Sequence, residues 1–148
     1  CKLYADEDVR RYFPEKTLDR AQTRSELDWF LKGGDPNYPR LVLWAVILKS
    51  SGRFVGRGGF IPWTIDGNPE VEIAYMLDKE YWRQGLGAEM ARALVSYGFT
   101  QLGLSRLIAL IDSRNDASIR TAEGVGLRFE REVEVDGHPC LIYALNNY

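Results

Sequence analysis

Between Glu70 and Ile111 the hydrophobic period of the chain changes twice, and few folds accommodate that order. "EVEIAYML", Glu70 to Leu77, sets Val71, Ile73, Tyr75 and Leu77 against Glu72, Ala74 and Met76, which is the period of a strand. Beyond Gly85 and Gly87, the residues Leu86, Met90, Ala93, Leu94 and Tyr97 recur at helical spacing, with Glu89, Arg92 and Ser96 between them. Gly103 closes this helix, and "RLIALI", Arg106 to Ile111, follows as an apolar strand. Strand, helix and strand in this order require a right-handed crossover and a parallel pair.

The flanking segments add antiparallel strands. A first helix is expected over Leu3 to Tyr12, ending before Pro14. In "TRSELDWFLKGG", Thr23 and Glu26 have capping-box spacing, Leu27, Phe30 and Leu31 share a face, and Gly33-Gly34 is a stop. "LVLWAVILK" from Leu41 and "RFVGRGGFIPW" from Arg53 read as a hairpin turning at Ser50 to Gly52, with Gly67 and Asn68 as the next turn. "NDASIRTAEGVGL" predicts a short helix from Asn115 to about Gly124–Gly126, and Asp136-Gly137 a closing hairpin. The expected fold class is therefore α/β (α+β): a mixed, mostly antiparallel sheet with one parallel junction and flanking helices. With 148 residues, 45% of them hydrophobic, one domain over 1–148 is expected.

Charge and composition narrow the function. Nineteen basic against 21 acidic residues give a formal charge of -2, so no basic field recommends nucleic acid or an anionic membrane. A small ligand is expected instead. No apolar run approaches the roughly 20 residues of a membrane span, no signal-like segment opens the chain, and a cytoplasmic location is expected. Cys1 and Cys140 form neither a disulfide framework nor a metal cluster; Cys140 reads as a small buried apolar residue, and no metal is expected.

The glycines at 85 and 87 stand where a helix begins. A helix N-terminus has unpaired N–H groups and partial positive charge, and glycine there lets an anion approach the backbone. A nucleotide P-loop would need Lys and then Ser or Thr where Ala88 and Glu89 stand. A dinucleotide loop would want a third small residue at Met90. A phosphate-bearing ligand of another kind and a turn that merely packs a helix on a strand both stay open.

From Val71 to Leu127, "VEIAYMLDKEYWRQGLGAEMARALVSYGFTQLGLSRLIALIDSRNDASIRTAEGVGL" resembles the GNAT N-acetyltransferases, in particular the branch holding the ribosomal-protein N-terminal alanine and serine acetyltransferases. The resemblance extends from about Leu41 to the end. It implies acetyl-CoA as cosubstrate, with the pantetheine arm on the strand that ends at Met76 and Leu77. It also implies that the Q/R-x-x-G-x-G/A loop, here Trp82, Arg83, Gln84, Gly85, Leu86 and Gly87, with Ala88 after it, grips the pyrophosphate. Trp82 departs from the Gln or Arg of that pattern. The family begins with a strand before its first helix, and this chain is expected to start inside that helix.

Acetyl transfer to an amine needs a base for the ammonium proton, a polarised thioester carbonyl and a destination for the thiolate. Glu72 is the first candidate base, since burial beside Val71 and Ile73 would raise its pKa, with Glu70 in reserve. Both are alternatively paired or solvated strand carboxylates. Backbone N–H groups near Met76 are candidates for stabilising the oxyanion. The helix tyrosine that many relatives use as acid is replaced by Ala122. Asn115 on the pantetheine arm and Ser118 near the sulfur are the candidates in its place; a helix cap explains the same pair, and a reaction with no dedicated acid stays open. Tyr12, Phe13 and Trp63 are expected near the acceptor, Trp29 and Trp44 are candidates for its pocket or for core packing, and His138 reads as a turn residue. The resemblance implies an enzyme that acetylates a primary amine of a peptide N-terminus or small molecule, with a non-catalytic acyl-CoA sensor or scaffold as the alternative; the oligomeric state, monomer or homodimer, stays open.

Overall fold

Asp6 interrupts the first expected helix. In the computed structural model, which describes residues 2–148, α1 (Lys2–Ala5) ends where Asp6 takes extended angles and caps α2 (Glu7–Arg10), its carboxylate accepting from Asp8 N at 2.9 Å and Val9 N at 3.2 Å. Cys1 lies outside the described residues. The next helix, α3 (Arg20–Leu31), starts a turn earlier than the Thr23 spacing predicts, because Asp19 and Gln22 form the capping box. Thr23 instead donates its hydroxyl to the Asp19 carbonyl at 2.7 Å.

The strands are β1 (Leu43–Leu48), β2 (Arg53–Ile65), β3 (Asn68–Leu77), β4 (Arg106–Ile111), β5 (Arg128–Val135) and β6 (His138–Asn146). They form one sheet ordered β1-β2-β3-β4-β6-β5, antiparallel except where β3 meets β4. Asp66 and Gly67, both at positive φ, make the turn before β3, so Asn68 is already in the strand.

Helix α4 (Leu86–Thr100) crosses from β3 to β4, and α5 (Asp116–Gly124) follows β4. The face α4 turns inward is Ala91, Leu94 and Gly98, whereas Ala93 is exposed and Tyr97 is 41% exposed. The small residues decide this rotation. A Cβ on Gly98 would come within 3.0 Å of Leu107 and 3.1 Å of Phe60, so the helix lies close on the sheet only along that line. Beneath α4 and α5, Phe60, Ile73, Leu107, Ala122 and Leu127 form the main core. On the sheet's other face Ile65, Ile108, Ile142 and Ala144 pack with Trp63 and Leu110, and Met76 packs with Leu3 and Val9. Burying each large apolar side chain contributes about 1.5–3 kcal/mol.

The parallel junction is where the sheet is thinnest. The β3–β4 ladder has a single register pair, Glu72 with Ile108, while β3 stays paired to β2 through Leu77 opposite Gly56. Past Glu72 the two central strands diverge. Side-chain chemistry reinforces the junction at its start, where Arg106 Nε donates to Glu70 at 2.9 Å and its terminal nitrogens donate to both oxygens of Glu130 on β5.

Candidate active site

A cavity of about 80 Å³ occupies the gap between the diverging strands, lined by Phe13, Glu72, Tyr75, Leu110, Ser118 and Ala122 among others. Strand alternation sends its walls to opposite faces of the sheet. Glu72, like Met76, belongs to the face where Ile108 and Leu110 lie, whereas Tyr75, like Ile73, belongs to the α4 and α5 face. The gap lets both reach one space.

Glu72 is held by three influences. Trp63 Nε1 donates to its Oε2 at 2.7 Å, the Leu110 backbone N–H donates to it, and Arg57 attracts its charge; all favour the carboxylate. Burial opposes them and is the larger effect, pushing the pKa up to about 7. A carboxyl so poised takes up and gives back a proton near neutral pH. Glu70 is different: with its side chain 10% exposed, it is committed to Arg106.

On the other wall, Asn115 caps α5, its Oδ1 accepting from Ser118 N at 3.2 Å. The capping alternative thus describes the Asn115 carbonyl, and leaves the amide nitrogen as the group available to a ligand. The Ser118 side chain faces the cavity, beside the Tyr75 phenol.

The end of β3 corrects the expectation for Met76. Asp78 N–H donates to Val55 C=O at 2.9 Å, and register with β2 is unbroken behind it, so the N–H and C=O of Met76 face Arg57 rather than the gap. Tyr75 and Leu77 present their peptide groups to the gap instead. The Leu77 carbonyl is taken by the Trp82 indole N–H at 2.9 Å, which leaves its amide. Trp82 therefore ties the loop to the strand end.

In that loop Arg83 and Gly85 both have positive φ, 60° and 79°. Gln84 Nε2 donates to the Glu80 carbonyl at 3.0 Å, bracing the turn from behind. Gly85 is the N-cap of α4 and has no side chain to cap it, so the first N–H groups of the helix, those of Leu86, Gly87 and Ala88, stay open. A Cβ on Gly85 would meet nothing within 4 Å. Packing does not explain this glycine; its left-handed φ and the empty space before the N–H groups do, and both suit a phosphate.

Three residues escaped the sequence reading. Tyr75 is one member of a strand alternation, and its neighbours in the cavity, Ser118 and Ala122, come from α5. Arg57 has a buried Nε with no hydrogen-bond partner among the described residues, its guanidinium 5.3 Å from the Tyr4 ring centroid and 3.6 Å from Glu26. Leu110 supplies a backbone donor that no pattern signals. Of the tryptophans, Trp63 touches the site, while Trp29 packs on Phe30 and Trp44 on Phe60 and Tyr97. Phe13 lines the cavity and Tyr12 lies under Arg114, whose guanidinium is paired with Asp112 at 2.7 Å. His138 is exposed at the hairpin, and Cys140 is half-buried rather than buried. Among the described residues no group of three His, Cys, Asp or Glu gathers as a metal cage, and no helix is long and apolar enough to cross a membrane.

The chain is similar to known proteins along nearly all its length. It is 33% identical over 146 residues to the uncharacterized protein YkkB of Bacillus subtilis, covering 99% of this chain and 83% of that one. A crystal structure of a GNAT-family acetyltransferase from Bacillus anthracis superposes with a TM-score of 0.81 at 26% identity, covering 98% of this chain and 85% of that one. A putative ribosomal-protein-serine acetyltransferase from Vibrio cholerae gives a TM-score of 0.64 at 20% identity over 92% of this chain and 77% of its own, a likeness of fold. Residues 1–128 match the family model of the acetyltransferase (GNAT) domain; the chain belongs to that family, as an acetyltransferase enzyme with acetyl-CoA as cosubstrate, and the non-catalytic alternative is set aside.

Proposed function

We propose that the enzyme transfers the acetyl group directly from acetyl-CoA to a primary amine, carried by a peptide N-terminus or an amino-acid-like small molecule. The observation that carries this reading is the shared cavity, entered by the Glu72 carboxyl from one face of the sheet and by the Ser118 hydroxyl from the other. Glu72 takes the amine proton, the nitrogen adds to the thioester carbonyl, and the sulfur leaves toward α5. The Gly85 loop holds the pyrophosphate on the open N–H groups of α4, Asn115 offers its amide to the pantetheine arm, and the Leu77 amide stands at the gap for the oxyanion.

Two features support the acceptor class. Phe13 gives the cavity an apolar wall and Trp63 backs Glu72, while the nearby acids Asp112 and Glu70 are neutralised by Arg114 and Arg106, so a polycation would find few free carboxylates there. A cytoplasmic setting is part of the same reading. Direct transfer is supported by the place of the free thiol: Cys140 does not line the cavity and burial raises its pKa, so no thiolate of the described residues stands there to take the acetyl group.

The test is thiol release from acetyl-CoA with short Ser- or Ala-started peptides, free polyamines and aminoglycosides, with Cys140→Ser run beside the parent. Peptides turning over faster, with Cys140→Ser at the parental rate, are expected. Faster polyamine turnover would overturn the acceptor, and a folded but inactive Cys140→Ser would overturn direct transfer.

A further inference from the structure

The walls of the site cavity come from β3, α4, β4 and α5, and among the described residues Phe13 is the one lining side chain from outside that unit. It stands in the turn after α2, a helix of four residues, where no strand fixes it. Arg10, the last residue of α2, does so. Its side chain is 2% exposed and folds back over its own turn. Nε donates to the Lys16 carbonyl at 2.6 Å, Nη2 donates to Glu15 Oε2 at 3.3 Å, and the guanidinium lies 4.4 Å from the Phe13 ring centroid. The backbone closes around the same residues. Phe13 N donates to the Arg10 carbonyl at 3.0 Å, and Lys16 N to the Phe13 carbonyl at 3.2 Å, with Lys16 at a φ of 55°. The far end of the loop is tied to α1, where Leu18 N donates to the Tyr4 carbonyl at 2.9 Å.

Stability alone does not account for this arginine. Its acid partner Glu15 is 65% exposed, so the attraction is screened while the guanidinium itself is held out of water. Lys16 lies at the surface, where water can replace a lost donor. An apolar side chain of similar length would therefore cost the fold little. Geometry is a better account: a planar fork reaches a carbonyl, a carboxylate and an aromatic face at fixed angles, which an ammonium cannot do.

We propose that Arg10 is a positioning residue for the acceptor, holding Phe13 at the gap so that its half-buried ring seats the amine-bearing group beside Glu72. The inference rests on the acetyl-transfer reading above. The groups offered to the cosubstrate, in the Gly85 loop, at Asn115 and at Leu77, stand on other elements. Loosening Arg10 is thus felt by the amine and not by CoA.

The experiment compares Arg10→Met and Arg10→Lys with the parent, using whichever amine of the panel above turns over fastest. In both variants kcat/KM for the amine is expected to fall by about 10- to 10²-fold, the cost of a misplacement of about 1 Å. Most of the loss is expected in the KM of the amine, with the CoA dissociation constant at its parental value. Arg10→Lys keeps the charge and is expected not to rescue. Phe13→Leu is expected to lose a similar factor, and adding Arg10→Met to it to cost no more, since both act through one ring. Full recovery in Arg10→Lys, additive losses, or CoA binding weakened as much as the amine's would each overturn the proposal. Phe13→Leu leaves the bonds of Arg10 in place, so a parental amine KM in that variant overturns it even where the Arg10 variants lose their fold. A parent that prefers polyamines overturns the acceptor class and leaves these comparisons intact; a parent that binds CoA and acetylates no amine overturns both readings.

Discussion

The indole of Trp63 donates to Glu72 Oε2 at 2.7 Å from the neighbouring antiparallel strand, so a half-buried aromatic residue of β2 tunes the proton affinity of the candidate base. This hydrogen bond favours the carboxylate. Trp63→Phe removes the donor and is expected to shift the acidic limb of the kcat/KM profile to higher pH by about one unit, the size of a lost hydrogen bond to a charged group. Glu72→Gln removes the limb and lowers turnover about 10²- to 10⁴-fold, with the deficit shrinking at high pH where the amine deprotonates unaided. A Trp63→Phe profile superimposable on the parent's would separate the indole from the base.

The same carboxyl makes stability depend on pH. Glu72 holds its proton more tightly folded than unfolded, with a pKa raised from 4.5 to about 7. Its contribution therefore favours the fold below about pH 4.5 and is lost as pH rises through about 7. Glu72→Gln, which mimics the protonated acid, is expected to be more stable than the parent at pH 8, by at most on the order of 3 kcal/mol, and to differ little at pH 4. Urea unfolding at the two pH values measures this; an equal difference at both would place the ionised carboxyl in a setting as favourable as water.

Gly85 combines a left-handed φ with open space ahead of the first N–H groups of α4. Gly85→Val is expected to cost about 1–2 kcal/mol in backbone strain and, separately, to abolish the rise in melting temperature that CoA gives the parent. Parent protein at CoA of about 1,000 times its dissociation constant gains roughly 4 kcal/mol by mass action. The variant's CoA-dependent shift, rather than its baseline, is the diagnostic; a shift equal to the parent's would remove the pyrophosphate from this loop.

Arg106 spans β3, β4 and β5 through Glu70 and Glu130. Its two partners differ in exposure, 10% for Glu70 and 41% for Glu130. Arg106→Leu is expected to destabilise by about 3–5 kcal/mol because it leaves Glu70 buried and unpaired, whereas Glu130→Gln is expected to cost at most about 1 kcal/mol. The double variant Arg106→Leu with Glu70→Leu recovers most of the loss. Denaturant midpoints decide this, and an Arg106→Leu loss no larger than that of Glu130→Gln would show the buried pairing to be dispensable.

Much of this architecture was legible because local signals agreed. The change of period at Gly85, the Asp136-Gly137 turn and the crossover order specify elements that tertiary contacts then only confirm. Where two local signals competed, sequence could not choose: Asp19 with Gln22 and Thr23 with Glu26 both have capping spacing one turn apart, and the earlier pair wins. Periodicity puts Tyr97 on the inward face of α4 because it counts as apolar, while the close approach of helix to sheet selects Ala91 and Gly98 by size. Tyr75, Arg57 and the Leu110 amide were invisible for a different reason, since each acquires its meaning from partners far away in the chain.

A sheet has two outer edges, and this one has a third in its middle. Beyond Glu72 the strand β3 carries, on the side of β4, a row of peptide groups that no strand completes, closed at the far end where Trp82 takes the Leu77 carbonyl. Outer edges invite other chains, and proteins blunt them. The inner one is flanked by α4 and α5, and its free peptide groups suit an extended amide-bearing arm. In the proposed complex the cosubstrate is thus a missing piece of secondary structure, and amide exchange at Tyr75 and Leu77 reports whether the sheet is finished or still waiting for it.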